Sequence, residues 1–160
     1  MSGSTVRLGA AQLSKFIYPA RVEYSTPTTT LPPPLVQTGS ETILLVEDEA
    51  DVRAVAAESL RLLGYQVLEA AAPSDALQIA EQYAEPIHLL LTGVVLPIMN
   101  GRELAEVIKR LHPEIKVLYV SGYTVNTVVH HGVLEEGIHF LPKPYTPSQL
   151  AAKVRQVLDE

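Results

Sequence analysis

Cysteine is absent from the 160 residues of this chain. Its absence excludes disulfide bonds, thiolate nucleophiles and cysteine-ligated zinc sites. Long apolar runs are also missing, since none approaches the roughly 20 residues that a membrane-spanning helix requires. The N-terminus lacks the apolar core of a secretory signal. We therefore expect no membrane partner, and a cytoplasmic location fits these absences.

Positive charge is scarce along the chain. Lysine and arginine total 12 residues against 18 aspartate and glutamate residues, which gives a formal net charge of −6. Because a nucleic-acid-binding surface needs clustered basic side chains, we expect no nucleic-acid partner. Hydrophobic residues make up 47% of the chain, which is enough for the core of one domain.

Proline marks a boundary near residue 40. Four prolines, interleaved with threonine, fall between Tyr24 and Ser40. Proline fixes φ and lacks a backbone N–H, so this stretch is unsuited to a helix or a central strand. We interpret residues 1–40 as an N-terminal tail and Pro/Thr-rich linker, and residues 41–160 as the folded domain.

Beyond the linker, short apolar runs alternate with segments of helical apolar spacing. The runs predict strands at Thr42–Val46, Tyr65–Ala70, His88–Thr92, Lys116–Val120 and Ile138–Leu141. The spacing predicts helices at Asp51–Leu63, Pro73–Ala84, Gly101–Leu111, Val125–Glu135 and Pro147–Leu158. In the first helix, the stripe expected to face the core is Val52, Val55, Ala56, Leu60 and Leu63. Strict alternation predicts an α/β fold, a doubly wound five-stranded parallel sheet of flavodoxin-like order 2-1-3-4-5 with helices on both faces.

Polar residues follow several of the predicted strands, at the end of the sheet where sites of such folds lie. Glu47, Asp48 and Glu49 follow the first strand, Ser121 follows the fourth and Lys143 follows the fifth. Clustered carboxylates suit a hard divalent cation such as Mg²⁺. A lysine and a hydroxyl suit phosphoryl oxygens. The alternative is that the acids only begin the first helix, with Asp48 as its N-cap.

Four segments resemble the signatures of response-regulator receiver domains, the CheY-like modules of two-component phosphorelay signal transduction. They are Ile43–Glu49, Leu89–Gly101, Val120–Tyr123 and Leu141–Tyr145, and they occur in the family's order and spacing. The resemblance is strongest to the receivers attached to hybrid histidine kinases. It implies a response-regulator receiver over residues 41–160, a signalling protein and not an enzyme.

The resemblance assigns roles to the residues at the strand ends. Glu47 and Asp48 would be the acidic pair that holds Mg²⁺, and Val95 would offer its backbone carbonyl to the same ion. Ser121 would be the hydroxyl that moves toward a phosphoryl group. Lys143 would pair with the phosphoaspartate.

The resemblance also implies partners and an output face. A histidine kinase or another two-component signalling protein would be the partner. Phe140 would take the place of the aromatic residue that switches between states. A homodimer is one assembly that the resemblance allows, through the face formed by the fourth strand, the helix predicted at 125–135 and the fifth strand.

Gly93 departs from the family pattern, because receivers carry their phosphate-accepting aspartate at this position. Glycine has no side chain, so it is neither a nucleophile nor a side-chain ligand. We therefore expect a degenerate receiver, or pseudo-receiver, without a catalytic residue and not phosphorylated at position 93. With one carboxylate missing, any Mg²⁺ binding is expected to be weak. Phosphotransfer would require another acceptor, for which Asp48 and Thr92 are the candidates.

Three further interpretations remain open. Ser14–Glu23 resembles the end of a histidine-kinase ATP-binding domain, which favours a C-terminal receiver fragment of a hybrid histidine kinase. Alternatively, the chain is an engineered variant of a phospho-accepting receiver, in which glycine has replaced the aspartate. A variant that merely folds, with no signalling role, is the remaining alternative.

Overall fold

The computed structural model describes residues 38–122 and 138–160. Within these ranges the strands are β1 Thr42–Val46, β2 Gln66–Ala70, β3 Leu89–Gly93, β4 Lys116–Ser121 and β5 Phe140–Pro142. The helices of the same ranges are α1 Ala50–Leu62, α2 Pro73–Gln82, α3 Gly101–Leu111 and α4 Pro147–Leu158. The helix predicted at 125–135 and residues 1–37 of the predicted tail and linker lie outside them.

The five strands form one sheet in the order β2-β1-β3-β4-β5, and every neighbouring pair is parallel. The predicted strand order and direction are therefore confirmed. β1 and β3 lie at the centre and are buried along their whole length. Because all strands run the same way, β1, β3, β4 and β5 end at the same end of the sheet, which we call the carboxyl end. The opposite end is the amino end.

Helices cover both faces of the sheet, as predicted. Successive residues of a strand point to opposite faces, and in β3 Leu90 and Leu91 belong to different core clusters. α2 and α3 pack on the Leu90 face with Ala76, Ala80, Leu104 and Ile108. α1 and α4 pack on the Leu91 face with Ala56, Leu60, Leu150 and Val154. Burial of each large aliphatic side chain contributes about 1.5–3 kcal/mol.

Local sequence signals explain where the helices begin and end. Asn100 caps α3 by accepting a 2.9 Å hydrogen bond from the Glu103 N–H. Thr146 and Gln149 form a reciprocal capping box at the start of α4. Gly64 follows α1 with a φ of +100°, a conformation that favours glycine. No helix in the described ranges is both long enough and apolar enough to span a membrane.

Two expectations for α1 are wrong. Its N-cap is Glu49, not Asp48, and the cap makes no side-chain hydrogen bond. Val55 was expected to face the core, but it is 60% exposed. The buried face of α1 is narrower than the apolar stripe, because it consists of Ala56, Ala57 and Leu60. Predicted boundaries elsewhere differ by one or two residues, as helix and strand ends usually do.

Candidate functional site

The carboxyl end of the sheet brings Glu47 and Lys143 into direct contact. Glu47 follows β1, Lys143 follows β5, and the Lys143 Nζ donates to Glu47 Oε2 at 2.8 Å. Glu49 Oε1 is 3.7 Å from the same ammonium group. The Lys143 N–H donates to the Ser121 carbonyl at 2.8 Å, so Lys143 is held beside the buried end of β4. Glu47, Lys143 and the backbone of Ser121 therefore lie close together.

Glu47 is fixed through both its backbone and its carboxylate. Its N–H donates to the Ala70 carbonyl at 3.1 Å, and its own carbonyl accepts from Arg53 Nη1 at 2.7 Å. Glu47 Oε1 accepts from the Glu49 N–H at 3.2 Å. The side chain is only 4% exposed. Each carboxylate oxygen therefore already has a donor, although water barely reaches the group.

The ammonium of Lys143 remains charged in this setting. Burial alone would lower the pKa of Lys143, but the hydrogen bond and the charge of Glu47, together with the charge of Glu49, outweigh it and raise the pKa. Burial also raises the pKa of the neighbouring Tyr145, against the opposing charge of Lys143. At neutral pH Lys143 is therefore an ammonium group beside a neutral Tyr145 phenol.

Gly93 ends β3 at this same end of the sheet, and its backbone does not require glycine. Gly64 has the only positive φ among the described glycines, so position 93 has a conformation open to L-residues. A Cβ on Gly93 would lie 3.7 Å from the Val95 carbonyl oxygen and 3.3 Å from Leu96 Cδ2. A side chain at position 93 would therefore fit after a shift of a few tenths of an ångström in Leu96.

The two alternative acceptors differ in their accessibility. Thr92 is fully buried, and its hydroxyl donates to the Gly93 carbonyl at 3.0 Å. Asp48 lies at the surface. Val95, whose carbonyl was predicted to face a metal ion, is also exposed. Thr92 is therefore placed poorly for reaction with a phosphodonor in solution, whereas Asp48 is reachable.

The arrangement fits a divalent cation poorly. Glu47 already binds the Lys143 ammonium, and position 93 supplies no carboxylate. Within residues 38–122 and 138–160, no group of three or more His, Cys, Asp or Glu side chains is placed to hold a metal ion. A second cation next to Lys143 would also be repelled by the ammonium charge. The Glu47 carboxylate therefore has a positively charged partner within the protein.

The remaining site predictions are placed as follows. Phe140 is buried in the core on the face covered by α2 and α3. Glu49 belongs to the predicted acidic cluster and contacts Glu47, whereas Arg53 also contacts Glu47 although no role at the site was predicted for it. Arg53 lies near the start of α1, and this position shortly after the end of β1 was the signal that could have identified it.

An apolar groove of about 580 Å³ lies beside this site. One wall is α1, with Val52, Val55 and Ala56, and the other is the loop after β5, with Pro144 and Tyr145. Lys143 also lines the groove, so the groove and the Glu47–Lys143 pair share one residue. Val55 and Leu62, seven residues apart on α1, are both exposed apolar side chains. Exposed apolar side chains therefore lie both in the groove and farther along α1.

Known proteins match this chain over the region that contains both the fold and the motifs. The model of the response regulator receiver domain matches residues 43–155. Sensor kinase CckA of Brucella abortus is 38% identical over 122 residues, which are 76% of this chain but only 13% of that protein. The response regulator receiver protein CpdR of the same organism is 28% identical over 116 residues, covering 72% of this chain and 95% of CpdR.

Solved structures give the same result. The receiver domain from the hybrid histidine kinase CckA superposes with a TM-score of 0.62 at 42% identity, over 73% of this chain and 98% of that one. A CheY-like receiver domain protein from Methanospirillum hungatei superposes with a TM-score of 0.64 at 30% identity, over 76% of this chain and 95% of that one. The similarity thus covers the strands and helices described above.

Proposed function

The chain belongs to the response regulator receiver domain family, and we propose that it is a degenerate receiver of two-component signal transduction. It acts by binding another signalling protein and accepts no phosphate at position 93. The observation that carries this proposal is Gly93 at the carboxyl end of β3, where the resemblance of Leu89–Gly101 to the family motif puts the phosphate-accepting aspartate. Without that carboxylate the phosphorylation reaction has no nucleophile.

The other residues at the carboxyl end of the sheet support a role that does not involve phosphorylation. Lys143, which the resemblance would pair with a phosphoaspartate, pairs with Glu47, and its backbone is bonded to that of Ser121. Thr92 offers no accessible hydroxyl. We therefore infer that the domain is not an enzyme, and that Glu47, Asp48 and the Val95 carbonyl bind Mg²⁺ weakly at most.

The partner we propose is a histidine kinase or another two-component protein, met in the cytoplasm. The exposed apolar groove between α1 and the loop after β5 supports a protein partner, because an apolar surface of this kind suits contact with another protein. A homodimer through the face of β4, the predicted helix at 125–135 and β5 stays a prediction, since that helix lies outside the described residues.

Incubation with a small phosphodonor and Mg²⁺, followed by intact-mass measurement, tests the absence of phosphorylation. We expect the mass of the Gly93 protein to stay unchanged. Gly93→Asp should gain a phosphoryl group, because the backbone at 93 accepts a side chain and the other pocket residues remain. Stable phosphate uptake by the Gly93 protein would refute the proposal, and Asp48→Ala would then show whether Asp48 is the acceptor.

The same proteins test binding. Purified histidine kinases immobilised one at a time should capture the Gly93 protein, and Val55→Asp should lose capture by placing a charge in the apolar groove. Leu111→Asp is the matched control, because Leu111 is also an exposed apolar residue but lies away from this groove. Absence of capture by every kinase would favour a domain that only folds.

A second candidate function is that of the receiver portion of a hybrid histidine kinase. The 38% identity to a segment of sensor kinase CckA favours it, as does the resemblance of Ser14–Glu23 to the end of a kinase domain. An antibody against the receiver should then detect a product far larger than 17.4 kDa in the source cells. Sequencing of the natural gene separates a native Gly93 from an engineered replacement of aspartate.

A further inference from the structure

The carboxylate of Glu47 needs a positive charge close to it. It is 4% exposed, and a buried ionised carboxylate is stable only when it is paired and hydrogen-bonded. The Glu49 N–H supplies one hydrogen bond to Oε1 but no full charge. In an intact receiver a divalent ion would meet this need. The folded chain must therefore contain another source of positive charge at this place.

Lys143 supplies that charge, and Arg53 does not. Lys143 Nζ lies 2.8 Å from Glu47 Oε2. Arg53 approaches the same residue, but its Nη1 donates to the Glu47 backbone carbonyl, and its Nε lies 3.7 Å from Glu69. Among the described residues, the ion pairs of Glu47 therefore involve one cation, the ammonium of Lys143.

Lys143 is also held in place by its backbone. Its N–H is bonded to the Ser121 carbonyl, which extends the pairing of β4 with β5 by one residue. The side chain is 24% exposed, so it is partly shielded by the groove that it lines. A short contact from a positioned backbone is stronger than one between two mobile surface chains.

From this geometry we propose that the Lys143 ammonium is the resident cation of the site and takes the place of the divalent ion. It joins the loop after β1 to the loop after β5 without metal and without phosphate. The groove between α1 and the loop after β5 is then present without metal and without phosphate, because Lys143 both pairs with Glu47 and lines the groove. This inference concerns the charge balance of the site and stands whether or not the domain can be phosphorylated.

The test compares the full-length protein with Lys143→Met, which keeps the length of the side chain and removes its charge. Thermal melts are recorded with EDTA and with excess Mg²⁺. The unaltered protein should melt at the same temperature in both. Lys143→Met should melt lower in EDTA and regain stability with Mg²⁺, because Glu47 then lacks a cation. Arg155→Met is the control, since it removes a cation at the amino end and should show no response to Mg²⁺.

Two results would overturn the inference. One is a rise in the melting temperature of the unaltered protein with Mg²⁺ as large as that of Lys143→Met. The other is a folded Lys143→Met protein that gains nothing from Mg²⁺. If Lys143→Met does not fold, Mn²⁺ titration of the unaltered protein by NMR decides. Broadening of the Asp48 and Val95 amide signals would refute the inference. Unaffected signals would support it, provided that the double variant Glu47→Gln/Lys143→Met folds and does not respond to metal ions.

Discussion

The two ends of the sheet each contain an ion pair that ties the β1 region to the C-terminal part of the domain. At the amino end, Glu41 precedes β1 and lies 2.7 Å from Arg155 of α4. At the carboxyl end, Glu47 follows β1 and lies 2.8 Å from Lys143. The distances are alike, but Glu41 is 25% exposed and Glu47 is 4% exposed. The same chemistry therefore has different consequences at the two ends.

The amino-end pair is one of many contacts of Arg155. The guanidinium also donates to Asp159, to the Tyr65 hydroxyl and to the Thr38 carbonyl. Its hydrogen bonds to Glu41 lower the pKa of that carboxyl from 4.5 to about 2. At the carboxyl end, among the described residues, Lys143 alone forms an ion pair with Glu47. The ion pair at the amino end therefore belongs to a network of several partners, whereas the pairing of Glu47 at the carboxyl end depends on one cation.

The largest expected effect comes from removing the cation at each end. Lys143→Met should lower the free energy of unfolding by about 3–5 kcal/mol, because it leaves the Glu47 carboxylate buried and unpaired. Arg155→Met should cost less, about 1–2 kcal/mol, although Arg155 has more hydrogen bonds, since its partners Glu41 and Asp159 are more exposed and can be hydrated. Urea unfolding without metal ions measures both. Equal losses would mean that burial does not distinguish the two pairs.

Glycine contacts give a second, intermediate comparison. A Cβ on Gly101 would overlap the Gly93 carbonyl oxygen at the carboxyl end, and one on Gly64 would crowd the Gly39 carbonyl oxygen at the amino end. Gly93 belongs to the central strand β3, whereas Gly39 precedes β1 and has more freedom to shift. We expect Gly101→Ala to cost about 3 kcal/mol through backbone displacement. Gly64→Ala should cost about 1–2 kcal/mol through its positive φ.

Chemical denaturation of the two alanine variants measures these costs, with Gly93→Ala as the control. Gly93→Ala should change stability by less than about 1 kcal/mol, because its backbone suits alanine and Leu96 needs only a small shift. A Gly93→Ala loss as large as that of Gly101→Ala would show that position 93 itself requires glycine.

The smallest expected effect is a pH dependence of the amino end. The pKa of Glu41 is lowered in the folded state, so its contribution to stability is present above pH 4.5 and is lost as the pH falls toward about 2. Glu41→Gln should therefore reduce the fall in stability across that window, by about 1 kcal/mol or less because the group is partly exposed. Unfolding free energies of both proteins across this range check it. Parallel pH profiles would contradict the assignment to Glu41.

The alternation of apolar runs with segments of helical spacing was sufficient to predict the strand order and direction of the sheet. Parallel strands buried on both faces need continuous apolar runs, and they are joined by right-handed crossovers through helices. The pattern failed at Val55, where apolar spacing alone could not tell a core face from a groove. It also left Arg155 without a partner, since Glu41 lies 114 residues away and no local spacing relates the two.

The order of residues along the chain was enough to show that position 93 carries no carboxylate and that acids and a lysine follow the strands. Residue identity and strand order are local properties, and parallel pairing brings the strand ends together. The identity of the cation that pairs with Glu47 was not predictable from the sequence. Lys143 and Glu47 are 96 residues apart in the sequence, so no local pattern relates them. They meet because β5 pairs with β4, which holds the backbone of Lys143 against Ser121 and brings its ammonium group to a carboxylate that water barely reaches.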